Sequence, residues 1–341
     1  MDEKRPCAVT MGEPSGIGGE LSLKAWQSGR HNQRPFFAID VPDRLRDISS
    51  RFGLGVDIAT ISDPSECASV FDQALPVIPL RNAVNASPGT PDPTNAHSVI
   101  ESIKRAFEYT KNGHASAVVT NPLQKEALYQ ADFPHPGHTE YLAHLDAPGT
   151  VPVMMLASPM LRVVPVTVHV PLRKALETLT AAMIVEKSMI TIGALRRDFN
   201  VTRPRLAIAG LNPHAGENKT LGDEEVVTIQ PAIDELRALD TADIIGPVPP
   251  DALFTARTRK NYDAAICMYH DQALIPIKAL DVDHAVNVTL GLSIVRTSPD
   301  HGTALDIADK GIADPTSLLA AIEMANEIAS LRQRGSVAQD A

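Results

Sequence analysis

The stretch AAICMYHDQALIPIK, residues 264–278, sets the reading of the whole chain. Ala264, Ala265, Ile266, Cys267 and Met268 form a short apolar run with the length and composition of a buried strand. Four polar side chains follow at once: Tyr269, His270, Asp271 and Gln272. An apolar segment broken by Pro276 then runs to Lys278. In an open α/β sheet, ligands bind just beyond the carboxyl ends of strands. A His-Asp pair placed there is a candidate for chemistry; the alternative is a hydrogen-bonded structural histidine.

Outward from this stretch the same grammar repeats. CAVTM (7–11), PFFAID (35–40), LPVIPL, SAVVTNP, MMLAS, LRVVPVTVHVPL and RLAIAG all read as short strands. Between them lie helical patterns: ELSLKAW, a stretch capped by Asp63 with Pro64 at its first position, residues 96–111, GHTEYLAHL, residues 180–196 and EEVVTIQPAIDELRAL. IIGPVPPDALF reads as a loop containing Asp251. Alternation of strand and helix predicts a mostly parallel sheet. The first turn, GEPSGIGGE, has the strand–glycine–helix shape of a phosphate loop but fails in detail. It lacks the GK-Ser/Thr of a Walker loop, and Leu21 stands where a GxGxxG motif needs glycine.

Composition narrows the function. The 341 residues suggest two domains. A formal net charge of −10 argues against non-specific nucleic-acid binding, which needs a basic face. At 4% aromatic residues, a base-stacking platform is not expected. No apolar run approaches a membrane span, and MDEKRPCAVT has no apolar signal core. Cys7, Cys67 and Cys267 have no CxxC spacing, so neither a disulfide framework nor a thiolate zinc site is expected. The expectation is a cytoplasmic, reduced protein.

Three histidines share one setting. His169, His214 and His270 each follow an apolar strand, at separations of 45 and 56 residues, one or two βα units. Three strand-end imidazoles can converge on one rim of a sheet. With an open position they make a catalytic metal geometry, typically zinc; three unrelated loop histidines are the other reading.

GEPSGIGGE, GHTEYL, GLNPHAGE, MYHDQALIPIK and NVTLGLSIVRTSPDHGTALDIA, in that order, resemble the 4-hydroxythreonine-4-phosphate dehydrogenase family of pyridoxine biosynthesis, from about residue 7 to 330. The resemblance implies two αβα domains around a cleft, like isocitrate and isopropylmalate dehydrogenases. One would comprise residues 1–135 plus 290–341, the other 136–289. It implies that His169, His214 and His270 bind a divalent metal, zinc with magnesium or cobalt as alternatives. It assigns His138, Thr139, Lys278, Asn287 and Arg296 to the substrate. Asp251, Asp271 and Lys278 are candidates for the general base. DHGTALDIADKGIADP is similar to the adenine loop of the isocitrate and isopropylmalate enzymes, placing His301, Gly302 and Asp306 near NAD or NADP. Departures from the related patterns stand at Ala285, Ser293 and Asp309. The family further implies a homodimer with a shared active site, and the expected partition sets His270 on the chain opposite His169 and His214. The implied reaction oxidises 4-phosphooxy-L-threonine to a 3-oxo acid that decarboxylates. Related dehydrogenases of four-carbon sugar-acid phosphates or of a cyclic dihydrodiol remain open, as does a phosphate acyltransferase, against which the histidine set argues.

Overall fold

The structure, a computed structural model, describes residues 5–29, 34–130, 133–135 and 137–339. In chain order the strands are β1 Cys7–Thr10, β2 Phe36–Asp40, β3 Ile58–Thr60, β4 Leu75–Pro79, β5 Val118–Val119, β6 Val153–Ser158, β7 Leu161–Pro165, β8 Arg205–Ala209, β9 Asp243–Val248, β10 Ala264–Cys267, β11 Val286–Leu290 and β12 Arg296–Pro299. Helices alternate with most of them, so the fold is α/β, as the sequence pattern predicts. The chain divides into two compact units, Met1–Pro152 with Leu292–Ser330, and Val153–Gly291 with Leu331–Ala341.

In the first unit the strand order is β3-β4-β2-β1-β5-β12, and every pair is parallel. Parallel pairing requires crossovers, which helices such as Gly18–Gly29 and Ala96–Lys111 supply. On Ala96–Lys111, Val99, Ile103, Ala106 and Phe107 recur at helical spacing and are buried. All four residues of β1 are buried, which suits a strand covered on both faces. The order turns back between β1 and β5, so the carboxyl ends of those two strands form the switch point where ligands are expected.

In the second unit the order is β11-β6-β7-β10-β8-β9. β11, β6 and β7 pair antiparallel; β7, β10, β8 and β9 pair parallel. Two local expectations change. The chain after β7 leaves the sheet before His169: Val166 N–H still donates to the Cys267 carbonyl (2.7 Å), and then the backbone turns. Residues 243–248 and 250–253 are not loop but β9 and a short helix, because β9 completes the parallel edge beside β8. The irregularity expected at Pro231 appears one turn earlier, as a π-helical turn Glu225–Ile229 leading into the helix Gln230–Ala238. Proline has no N–H to donate into the preceding turn.

The unit boundary after residue 152 keeps the helix His138–Asp146 with the first unit, whereas the sequence reading cut at 135. The cause is visible in Asp146. It accepts from the Ser293 backbone N–H (2.7 Å) and from Lys111 Nζ (2.8 Å), both in that unit. Ser293, one of the departures noted in the sequence, also bonds Asp146 through its hydroxyl and takes a second bond from Lys111 (2.7 Å). Among the described residues no single helix is long and apolar enough to cross a membrane.

Candidate functional site

β7, β10 and β8 are adjacent parallel strands, so the loops carrying His169, His270 and His214 leave one rim of the second unit's sheet, with the His270 loop in the middle. Neighbouring strands lie about 4.8 Å apart, so loops from adjacent strands can touch. His169 and His270 do: their ring centroids are 5.8 Å apart. They line a cavity of about 200 Å³ together with Thr167, Val170, Tyr269 and Asp271. Thr167 ties the two loops, donating from its hydroxyl to the Met268 carbonyl (2.8 Å). His270 opens the helix His270–Asp281, and its Nδ1 bonds Asp271 Oδ1 at 2.7 Å. That contact fixes the ring and turns Nε2 to other partners. His169 sits at φ 51°, in the left-handed region that non-glycine residues seldom occupy. Such conformations concentrate at functional sites.

His214 does not join them within the chain: among the described residues no three His, Cys, Asp or Glu side chains stand close enough to hold a metal. The His169–His270 contact lies within one chain, whereas the expected partition, with His270 opposite His169 and His214, concerns the ligands of one metal in a homodimer. β10 neighbours both β7 and β8, and the observed ring contact of His270 is with His169.

The loop of His214 has unusual backbone. His214, Ala215, Gly216, Glu217, Asn218 and Lys219 all have positive φ, from 39° to 77°. A left-handed turn costs roughly 1–2 kcal/mol per non-glycine residue. Glu225, from the π-helical turn, is 3% exposed and accepts from the backbone N–H groups of Leu211 and Asn212 (both 2.7 Å) and from Asn212 Nδ2 (2.9 Å). Burial raises its pKa, but the Asn212 and Leu211 bonds outweigh that and leave it below the ordinary glutamate value. Gln272 spans the rim, accepting from Met268 N–H (2.6 Å) and donating to the Gly210 carbonyl (2.7 Å). Gln272 was noted in the sequence only as part of the polar run, and Glu225 not at all. A polar residue inside an otherwise apolar helical face was the only available signal.

Of the other assigned residues in this unit, Asp251 lies exposed in the helix Pro250–Leu253. Lys278 is exposed near the end of the helix that His270 opens. Asn287 lies on β11, and its Oδ1 is buried without a hydrogen-bond partner among the described residues.

The first unit holds a cationic cluster. Arg296, on β12, is 4% exposed and donates from Nη2 to Thr120 Oγ1 at 2.6 Å. Thr120 stands just past the carboxyl end of β5, at the switch point. Burial lowers the Arg296 pKa to about 10, with Glu140 acting the other way. His138 opens the helix His138–Asp146, followed by Thr139. Burial, then Arg296, then Lys125 push its pKa well below 6.5, so its imidazole is neutral near pH 7. Its Nε2 is buried with no hydrogen-bond partner among the described residues. A buried guanidinium, a nearby lysine and a helix N-terminus together suit an anion. Thr120 and Lys125 were not assigned from the sequence, because only the parallel register of β5 with β12 brings Val118 beside Arg296.

His301, Gly302 and Asp306 share one loop, in which His301 Nδ1 lies 2.9 Å from the Gly302 carbonyl. Asp306 is in a 3₁₀ turn, Leu305–Ile307, entered through Ala304 at φ 46°. This loop rests on the glycine turn that opens the chain. Ile17 N–H donates to the Thr303 carbonyl (3.2 Å), and a Cβ at Gly16 would come within 2.8 Å of that oxygen. Glu13 N–H goes to Pro122, Ser15 N–H to the Glu13 carboxylate and Gly16 N–H to the Glu13 carbonyl. The N–H groups of Glu13, Ser15, Gly16 and Ile17 thus already have protein acceptors, which argues against a phosphate-loop reading of GEPSGIGGE. Lys24 secures the far end of the same loop through Gly311 O (2.9 Å), Ala313 O (2.8 Å) and Glu20 Oε1 (2.7 Å).

Residues 33–325 match the family model described as pyridoxal phosphate biosynthetic protein PdxA. A Methylorubrum populi protein named 4-hydroxythreonine-4-phosphate dehydrogenase is 49% identical over 334 residues, 96% of this chain and 95% of its own length. One of the same name from Paracoccus denitrificans is 50% identical over 338 residues, 97% of this chain and 100% of its own length. The crystal structure of 4-hydroxythreonine-4-phosphate dehydrogenase from Klebsiella pneumoniae superposes with a TM-score of 0.85 at 37% identity, covering 95% of this chain and 99% of that one. The likeness runs the length of both partners in sequence and in fold, and the chain belongs to the PdxA family.

Proposed function

We propose that this protein is an NAD(P)- and metal-dependent dehydrogenase that oxidises 4-phosphooxy-L-threonine at its secondary hydroxyl. The resulting 3-oxo acid loses carbon dioxide to give 3-amino-2-oxopropyl phosphate. The observation that carries the reading is the His169–His270 pair, 5.8 Å apart beside a cavity of about 200 Å³. Two imidazoles at that separation, one of them oriented by Asp271, fit two corners of a divalent metal site.

The chain's residues take these roles. His169 and His270 hold the metal, with His214 of a second copy as the third ligand. A bound divalent metal would lower the pKa of the substrate hydroxyl and polarise the carbonyl that forms. The nicotinamide would take the hydride. Arg296, His138 and Thr139 hold an anionic group of the substrate. Neutral His138 contributes a hydrogen bond without adding charge beside Arg296. Lys278 and Asn287 bind further polar groups of the substrate. Asp271, hydrogen-bonded to His270, and the exposed Asp251 and Lys278 are the groups able to take the hydroxyl proton, directly or through water. The loop of His301, Gly302 and Asp306 holds the adenine end of the cofactor.

A homodimer follows from the same reading. The cavity's edge carries exposed apolar side chains, with Val170 43% and Leu172 56% accessible. A second copy would cover those side chains and supply the missing ligand. The test is a panel of phosphorylated hydroxy acids, including threonate and erythronate phosphates, and a cyclic dihydrodiol, each with NAD and NADP. Absorbance of the reduced cofactor is followed before and after chelation and metal return. Turnover with 4-phosphooxy-L-threonine, lost on chelation and restored by metal, is expected. Preference for a sugar-acid phosphate or the dihydrodiol would replace the substrate, and metal-independent turnover would overturn the site.

A further inference from the structure

The loop that carries His214 holds a geometry its own sequence does not favour. Six consecutive residues, His214–Lys219, run left-handed, and only one of them is glycine. At its ends Ala215 N–H donates to the Asn212 carbonyl (3.0 Å), Thr220 N–H to Glu217 (3.2 Å) and Leu221 N–H to Gly216 (3.2 Å). The entry to the turn is also held from outside, by one carboxylate. Glu225 Oε1 receives the N–H groups of Leu211 and Asn212, and Oε2 receives the Asn212 side chain. The fit is tight on both sides. A Cβ at Gly216 would lie 2.7 Å from Glu225 Oε2, and one at Gly210 would lie 3.3 Å from Oε1. Glu224 takes the same Asn212 amide at 2.7 Å. The π-helical turn Glu225–Ile229 presents this carboxylate, and such turns often mark functional positions.

We infer that Glu225 is a positioning residue that locks the 210–219 loop in its left-handed turn and thereby aims His214 at the metal. The inference rests on the metal reading of His214. Glu225 touches neither substrate nor metal. Its acceptor-only character is what the loop uses, since the Leu211 and Asn212 groups that bond it are all donors. In Glu225→Gln the new amide N–H would meet the Asn212 amide donor against donor, with shape unchanged. Glu225→Asp keeps the charge but shortens the reach by one methylene, and serves as the milder variant should the first fold poorly.

Two measurements on the full-length protein test this. The first is hydrogen exchange of the metal-free protein. In Glu225→Gln the peptide spanning residues 210–222 should exchange at least about tenfold faster, with the rest of the second unit unchanged. Unaltered exchange overturns the lock whatever the metal does. The second is affinity for Co²⁺, read by chelator competition and by the visible spectrum of the bound ion. Glu225→Gln should weaken binding about 10–100-fold, as loss of an outer-shell partner typically does, with Glu225→Asp in between. In a His214→Ala background the same change should cost nothing further. An equal loss in that background, or no loss in a protein whose loop has loosened, overturns the aiming role. If His214→Ala alone leaves Co²⁺ affinity intact, the metal reading of His214 fails and takes the aiming role with it, an outcome told apart by that single variant.

Discussion

The cationic cluster of the first unit and the histidine rim of the second solve opposite problems. Arg296 is almost fully buried and relies on Thr120, Glu140 and a neutral His138 to be tolerated there. His270 is 36% exposed, and His169 stands beside it across an open cavity. A buried cation recognises charge at little further desolvation cost, whereas an exposed imidazole pair gains its specificity from geometry. The comparison teaches that one α/β chain can hold a buried cation in one unit and imidazoles beside an open cavity in the other.

The largest effect should come from breaking the rim. His270→Ala is expected to lower turnover about a thousandfold, the several kcal/mol a metal supplies, and to lose bound metal, with phosphate binding retained. Metal content and turnover near the wild-type level would sever the pair from the chemistry. Next comes the cluster. Arg296→Met should leave metal content unchanged and cost about 1.5–3 kcal/mol in kcat/KM for phosphorylated or carboxylated substrates, roughly 10–150-fold. Unchanged kinetics would return Arg296 to a purely structural role.

A smaller effect should appear with pH. The His138 pKa is depressed in the folded state, so between the folded and unfolded values the unfolded chain binds a proton that the folded chain refuses. Stability therefore rises with pH through that window; the contribution is complete above about 6.5 and is lost as pH falls below it. The melting temperature should drop between pH 7.5 and 5.5, and His138→Asn should shrink that drop. Parallel curves for the two proteins would show that the cluster carries no such strain. The smallest change is expected at Lys24, which holds the loop of Asp306 rather than either cluster. Lys24→Met should raise the KM for NAD(P) by a few fold with metal content and phosphate affinity unmoved, measured by initial rates at saturating substrate. A change in kcat alone would place the effect elsewhere.

Much of this was legible in the residues. The strand grammar located β1, β2, β4, β7, β8 and β10, because short apolar runs bounded by turn residues have few other ways to be buried. Residues 96–111 form a helix with the bounds that the apolar spacing predicts. Asp63 caps its turn as expected, accepting from Ser65 N–H at 3.0 Å. The three histidine loops leave one rim because each follows a parallel strand. The sequence could not show that β10 lies between β7 and β8, nor that His270 meets His169 while His214 stays apart from them within the chain. Nor could it show where the donors of GEPSGIGGE go, since their acceptors lie at Glu13, Pro122 and Thr303.

By itself the sequence determined the α/β class, the strand-end placement of the histidines and the run of motifs shared with the PdxA family. Those features depend on local periodicity and on residue types along the chain, which a linear reading captures. Only the tertiary structure decided which strands neighbour one another, that His138 stays neutral beside a buried Arg296, and that Glu225 grips the turn of His214. Each of these depends on groups far apart in sequence meeting in a low-dielectric interior, where burial and hydrogen-bond partners, rather than residue identity, set charge and conformation.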